Sequence, residues 1–114
     1  MSGKIPDFNA NELAIIHSNL NKRYGRAIEV QLADSEVQLD SNSAETKLYP
    51  TVFWYVAPVS FVILKLDSTR YRGLFVYGED EHYGTGVDDY HDLSTCVIQL
   101  LQAQADHAAH KRLS

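Results

Sequence analysis

With Cys96 as its only cysteine, this chain can form no internal disulfide and no multi-cysteine zinc site. Basic residues are also scarce. Ten Lys and Arg stand against fifteen Asp and Glu, for a net charge of −5 and a pI of about 5.4. Such a surface repels phosphate backbones, so nucleic acid is not an expected partner. Cations gather only at Lys22-Arg23-Arg26 and Lys111-Arg112, where helix C-termini accommodate them without any ligand. Long hydrophobic runs are missing as well. Pro58, Ser60 and Lys65 interrupt the longest, so none reaches the ~18 residues of a membrane span. The opening MSGKIPDF lacks the apolar stretch of a signal peptide. Together with the lone cysteine, this sets the expectation of a cytoplasmic protein with no membrane partner.

Catalytic signatures are lacking too. There is no nucleophile elbow, P-loop, kinase motif or metal-ligand spacing, so no cofactor is expected and a binding role is favoured over an enzymatic one. Gly84-Thr85-Gly86 follows neither a Walker nor a dinucleotide pattern. What remains is a 12.9 kDa chain with 45% apolar residues, enough for one core. Surface scaling has a chain of this mass burying about two-thirds of its area. Residues 1–114 are read as one α+β domain, with 1–7 flexible and 111–114 frayed.

Asn9 and Glu12 form an N-cap and capping-box pair, with Phe8 and Leu13 spaced as a hydrophobic staple. Leu13, Ile16, Leu20 and Tyr24 mark one face of a helix over 9–24, with Gly25 beyond its end and His17 at its wet boundary. Ile28, Val30 and Leu32 alternate with polar residues, and so do Val37 and Leu39 around Gln38. With Ala33-Asp34-Ser35 as the turn, this reads as a short hairpin. Asp40–Lys47 reads as a loop. Strands follow over 52–56, 61–66 and 71–77, separated by Ala57-Pro58 and Asp67-Ser68-Thr69. A second helix is expected over about 89–110, capped by Asp88 or Asp89 with Asp92 in its first turn. Its apolar stripe is Leu93, Cys96, Val97, Leu100, Leu101, Ala105 and Ala108. The order is α-β-β-β-β-β-α. The turns are too short for parallel crossovers, so the sheet is antiparallel with both helices on one face.

The strands from Leu48 to Tyr77 are apolar on both sides, and two helices on one side leave the other to be covered. The candidate interface is Phe53, Tyr55, Tyr71, Arg72, Phe75 and Tyr77, with Tyr83 nearby; Gly73 leaves room on that side for a close neighbour. A one-residue slip would invert which set faces out. The favoured occupant is a second copy, giving a homodimer that acts by binding a protein partner. The alternative is a pocket for a small hydrophobic or aromatic ligand, with Arg70 or Arg72 supplying polarity.

Weaker chemistry lies elsewhere. Glu79, Asp80, Glu81, Asp88, Asp89 and Asp92 share a segment with His82 and His91, a set able to hold a cation or serve acid–base catalysis; a small enzyme would use His82, Tyr83, Asp89 or His91. His107 and His110, three residues apart on a helix, are the other metal candidates. The simpler reading of both groups is solvated polar chain and helix ends. Cys96, on an apolar stripe, reads as a small hydrophobe.

Overall fold

The first helix begins where its cap residues dictate. In the computed structural model, which describes residues 5–37, 47–78 and 81–113, α1 spans Ala10–Tyr24. The Glu12 N–H donates to Asn9 Oδ1 and the Asn9 N–H donates to Glu12 Oε1, both at 2.8 Å. A polar cap of this kind contributes about 1 kcal/mol. At the other end Gly25 takes the left-handed conformation (φ 69°, ψ 17°), and its N–H reaches the Asn21 carbonyl at 2.8 Å.

Five strands follow: β1 Gln31–Val37, β2 Lys47–Val56, β3 Val59–Asp67, β4 Arg70–Val76 and β5 His82–Gly84. They lie in sequence order in one antiparallel sheet. Ala57 and Pro58, joined by a cis peptide bond, make the two-residue turn between β2 and β3. The chain ends in α2, Leu93–Leu113.

The element order, the antiparallel pairing and the placing of both helices on one side match the sequence reading, but two strands come from other segments. The hairpin expected over 28–39 is instead the single strand β1. Ala33, Asp34 and Ser35 pair in unbroken register with Thr51, Pro50 and Tyr49. None of the three is Gly or Pro, and an exposed edge strand tolerates an aspartate that a central one would not. Ile28 is buried ahead of the strand; Gln38, Leu39 and residues 40–46 of the loop expected over 40–47 lie outside the described residues, and Lys47 is the first residue of β2, paired with Val37. The fifth strand is β5, in the acidic segment read as loop.

α2 starts later than expected because Asp92 is its cap. Its Oδ2 accepts the Thr95 N–H at 2.9 Å and the Thr95 hydroxyl at 2.6 Å, and these bonds hold its carboxyl below the usual range. Asp88 and Asp89 serve otherwise, as described below.

Directly opposed residues share a face of an antiparallel sheet. One face carries Val52, Trp54, Phe61, Ile63, Tyr71, Gly73 and Phe75, and the core forms where Ile16 and Leu20 of α1 and Val97 and Leu100 of α2 meet it. Asn19 ties the helices together, donating to Ser94 Oγ at 3.3 Å. The opposite face carries Phe53, Tyr55, Val62, Leu64, Leu74 and Val76.

Lys65 falls on the helix side of β3 and is only 2% exposed. Its Nζ lies 2.8 Å from Glu12 Oε1 and donates to the Asp7 carbonyl at 3.2 Å. The Tyr71 hydroxyl donates to the other Glu12 oxygen, Oε2. Burial alone pushes the Glu12 carboxyl up, but the hydrogen bonds from Lys65, Tyr71 and Asn9 outweigh it, and the carboxyl sits below its ordinary value of 4.5. Burial and the facing carboxylate push the Tyr71 phenol well above its usual range. The carboxylate that caps α1 thereby binds the helix to two strands.

Replacing Lys65 with Met should cost about 3–5 kcal/mol in urea unfolding, because Glu12 is then left charged and unpaired in the core. Adding Glu12→Gln to that variant should recover part of the loss; equal stability of all three proteins would contradict the account. The acid side has a definite sign. A carboxyl whose folded pKa is depressed contributes stability above its unfolded value near 4.5 and loses it as pH falls through the folded value. Below pH 4.5 the Glu12→Gln variant should therefore lose stability less steeply than the parent chain.

Candidate interaction surface

The residues expected on one aromatic face are divided between two. Phe53, Tyr55 and Arg72 stand on the outer side of the sheet; Tyr71, Phe75, Tyr77 and Tyr83 belong to the helix side. Lys65 and Tyr71 are opposed in register, so the demand of Lys65 for Glu12 turns Tyr71 inward and Phe75 with it. The room beside Gly73 is taken by Leu100 of α2. A Cβ on Gly73 would lie 3.3 to 3.4 Å from three Leu100 carbons, tighter than ordinary contact. The missing side chain admits the protein's own helix.

Phe75, Tyr77 and Tyr83 gather around His107 from α2, with ring centroids 5.7, 5.2 and 4.3 Å from the imidazole. Gln104 of the same helix donates to the Tyr77 hydroxyl at 3.0 Å. This cluster packs the end of α2 onto β4 and β5, and its centre is filled by the histidine.

The outer face is built from register rows. Phe53, Val62 and Leu74 are opposed across three strands, with Gln31 and Gly84 at either end. Tyr55, Ser60, Val76 and His82 make the next row, and Thr51, Leu64 and Arg72 lie on the other side. Beyond them Tyr49, Leu64 and Leu66 form a small buried cluster against Ile5 and Val62. The segment ahead of α1 thus covers one end of this face with Ile5 and enters the main core with Phe8. Tyr55 is 63% exposed, and Phe53, Val62, Leu74 and Val76 are half-buried. Neither helix reaches them.

The acidic segment is an anchor for arginines. Arg70 lies 2.6 Å from Asp67 and 3.1 Å from Asp89, and Arg72 donates to the Asp88 carbonyl at 2.7 Å. Tyr71 and Tyr90 exchange both backbone hydrogen bonds at 2.8 Å, which draws the segment along β4 beyond β5. The Tyr90 hydroxyl donates to Gln99 Oε1 at 2.8 Å, joining it to α2. Glu79 and Asp80 lie outside the described residues.

The four histidines weighed as metal ligands are spread out. His82 is on the outer face, His91 and His110 are exposed, and His107 sits in its aromatic cluster. Among the described residues no three His, Cys, Asp or Glu side chains come close enough to hold a metal ion. The chain matches no family model, no curated protein and no solved structure.

Two features were missed in the sequence. The Glu12–Lys65–Tyr71 contact had a signal, since a lysine inside an apolar strand requires a buried partner. The Tyr71–Tyr90 pairing had none, because nothing local marks either residue. Cys96, fully buried, has its thiol pushed up to about 12 by desolvation, which suits a packing role. It should resist Ellman's reagent in the native protein and react at once in denaturant; rapid labelling of the folded chain would contradict that role.

Proposed function

We propose that this chain is a small cytoplasmic binding protein that self-associates through the outer face of its sheet and acts on a protein partner. The observation that carries this reading is the row Phe53, Val62, Leu74, with Tyr55 and Val76 beside it, on a face that neither helix reaches. Contiguous exposed apolar patches mark interaction sites. Four long strands at about 4.8 Å spacing, about eight residues each at about 3.3 Å, give roughly 500 Å² before side-chain relief. A stable pair buries about 600–1,000 Å² of each partner, so with Ile5 over one end of the face the pair must also draw on projecting side chains such as Tyr55. Tyrosine suits the role, offering apolar area with a hydrogen-bonding tip. The reading as a ligand pocket draws less support, since Leu100 fills the space beside Gly73 and His107 the space among the tyrosines.

Light scattering coupled to size exclusion should give twice the chain mass of 12.9 kDa at tens of micromolar. Tyr55→Lys combined with Leu74→Lys should return it to monomer with its circular dichroism unchanged. A parent chain that stays monomeric at about 100 µM would defeat the proposal.

A further inference from the structure

At one end of the sheet, β4 is covered by β5 and then by Tyr90. At the other end lies β1, seven residues long, with β2 as its one partner in the sheet among the described residues. It contains none of the proline or lysine that blunts exposed edges, and its pairing with β2 has no bulge.

The direction of its free backbone groups follows from the registers. Tyr71 and Tyr77 hydrogen-bond away from β3, to Tyr90 and Glu81. Hydrogen-bonded and non-hydrogen-bonded pairs alternate along an antiparallel ladder. Carried through the registers, this alternation bonds even residues of β4 and β3 to each other, odd residues of β3 to even ones of β2, and odd residues of β2 to odd ones of β1. Leu32, Asp34 and Glu36 therefore turn their N–H and C=O groups to the open edge. Their side chains stand on the helix side, opposite Val52, Pro50 and Leu48, where the helices no longer cover the sheet. Leu32 is 58% exposed and Leu48 62%. A cleft of about 310 Å³ opens there, lined by Phe8, Leu32 and Pro50 with Asp7 and Asp34. Among the described residues, no cation pairs with Asp34 or Glu36.

A second β1 would fit this edge poorly. A two-fold pairing centred on Asp34 opposes the two Asp34 carboxylates, and one centred on Ser35 opposes Asp34 to Glu36. Centred on Ala33, it sets Leu32 against Asp34. Like charges directly opposed destabilise a strand pair. A strand suited to this edge would set cations opposite these carboxylates. We propose that the free edge of β1 takes up an extended, cationic segment of a partner protein as a sixth strand, with basic side chains opposite Asp34 and Glu36 and an apolar one against Leu32. The site does not depend on self-association, because a pair formed through the outer face leaves both edges free.

The probe is a fluorescent peptide, Thr-Lys-Thr-Lys-Thr-Val-Thr, with a control in which both lysines are glutamate. The lysine peptide should bind measurably by anisotropy, and the glutamate peptide much more weakly. The surface variant Asp34→Asn, Glu36→Gln should lower its affinity roughly two- to thirtyfold, the worth of two cross-strand charge pairs. Asp34→Pro removes an edge N–H that β2 does not use and should abolish binding. Amide exchange gives the readout that needs no variant. Peptide should protect the N–H groups of Leu32, Asp34 and Glu36. No binding, equal binding of the two peptides, or binding without protection of these three amides would overturn the proposal. So would protection of all three in the protein alone, which would mean the edge is already paired.

Discussion

A lysine buried in the middle of an apolar strand is the constraint from which the rest of this structure follows. Removing an ammonium from water is costly unless a charged partner with good hydrogen-bond geometry goes with it. Lys65 finds that partner in Glu12, already held in place as the capping-box residue of α1. One carboxylate thus serves the helix terminus, the lysine of β3 and the phenol of Tyr71 on β4. Because strand residues alternate between faces, fixing Lys65 and Tyr71 inward also fixes Ile63, Gly73 and Phe75 inward, and Val62, Leu64 and Leu74 outward. The choice of face, left open by apolarity on both sides, is settled by one ion pair.

The distribution of polar groups follows from that choice. Tyr71 and Tyr77 have their hydroxyls engaged by Glu12 and Gln104, so they are parts of the packed interior. In the 81–92 segment the Asp89 carboxylate meets Arg70 and Arg72, the Asp88 carbonyl accepts from Arg72 and Asp92 caps α2, which holds that segment along β4 and closes one end of the sheet. What stays open among the described residues is the outer face around Phe53, Val62 and Leu74, and the β1 edge, where no described cation pairs with Asp34 or Glu36. These differ in chemistry: the first is apolar, the second acidic.

Features set within a few residues were legible in the sequence. The Asn9–Glu12 cap and Gly25 gave α1 nearly to the residue, and the alternation of Val52, Trp54 and Val56 against Phe53 and Tyr55 gave the two sides of β2. Features set by distant partners were not. Ala33-Asp34-Ser35 looks like a turn locally and is strand because β2 lies beside it. The three residues of β5 have no alternation to reveal them and form by pairing with β4. Asp92 rather than Asp88 or Asp89 caps α2: Asp92 holds the Thr95 N–H and hydroxyl, while the Asp89 carboxylate is taken by Arg70 and Arg72. The candidate interface was divided for the same reason, since its register depended on a contact 53 residues apart in the chain.

The central claim is that the outer face is covered by a second copy while the helix side is closed by the chain's own core. Methyl NMR with a soluble paramagnetic agent tests it directly. The account predicts that Val62, Leu74 and Val76 methyls are shielded increasingly as protein concentration rises, while Leu32 and Leu48 stay broadened throughout. Broadening of Val62, Leu74 and Val76 as strong as that of Leu32, at every concentration, would contradict it.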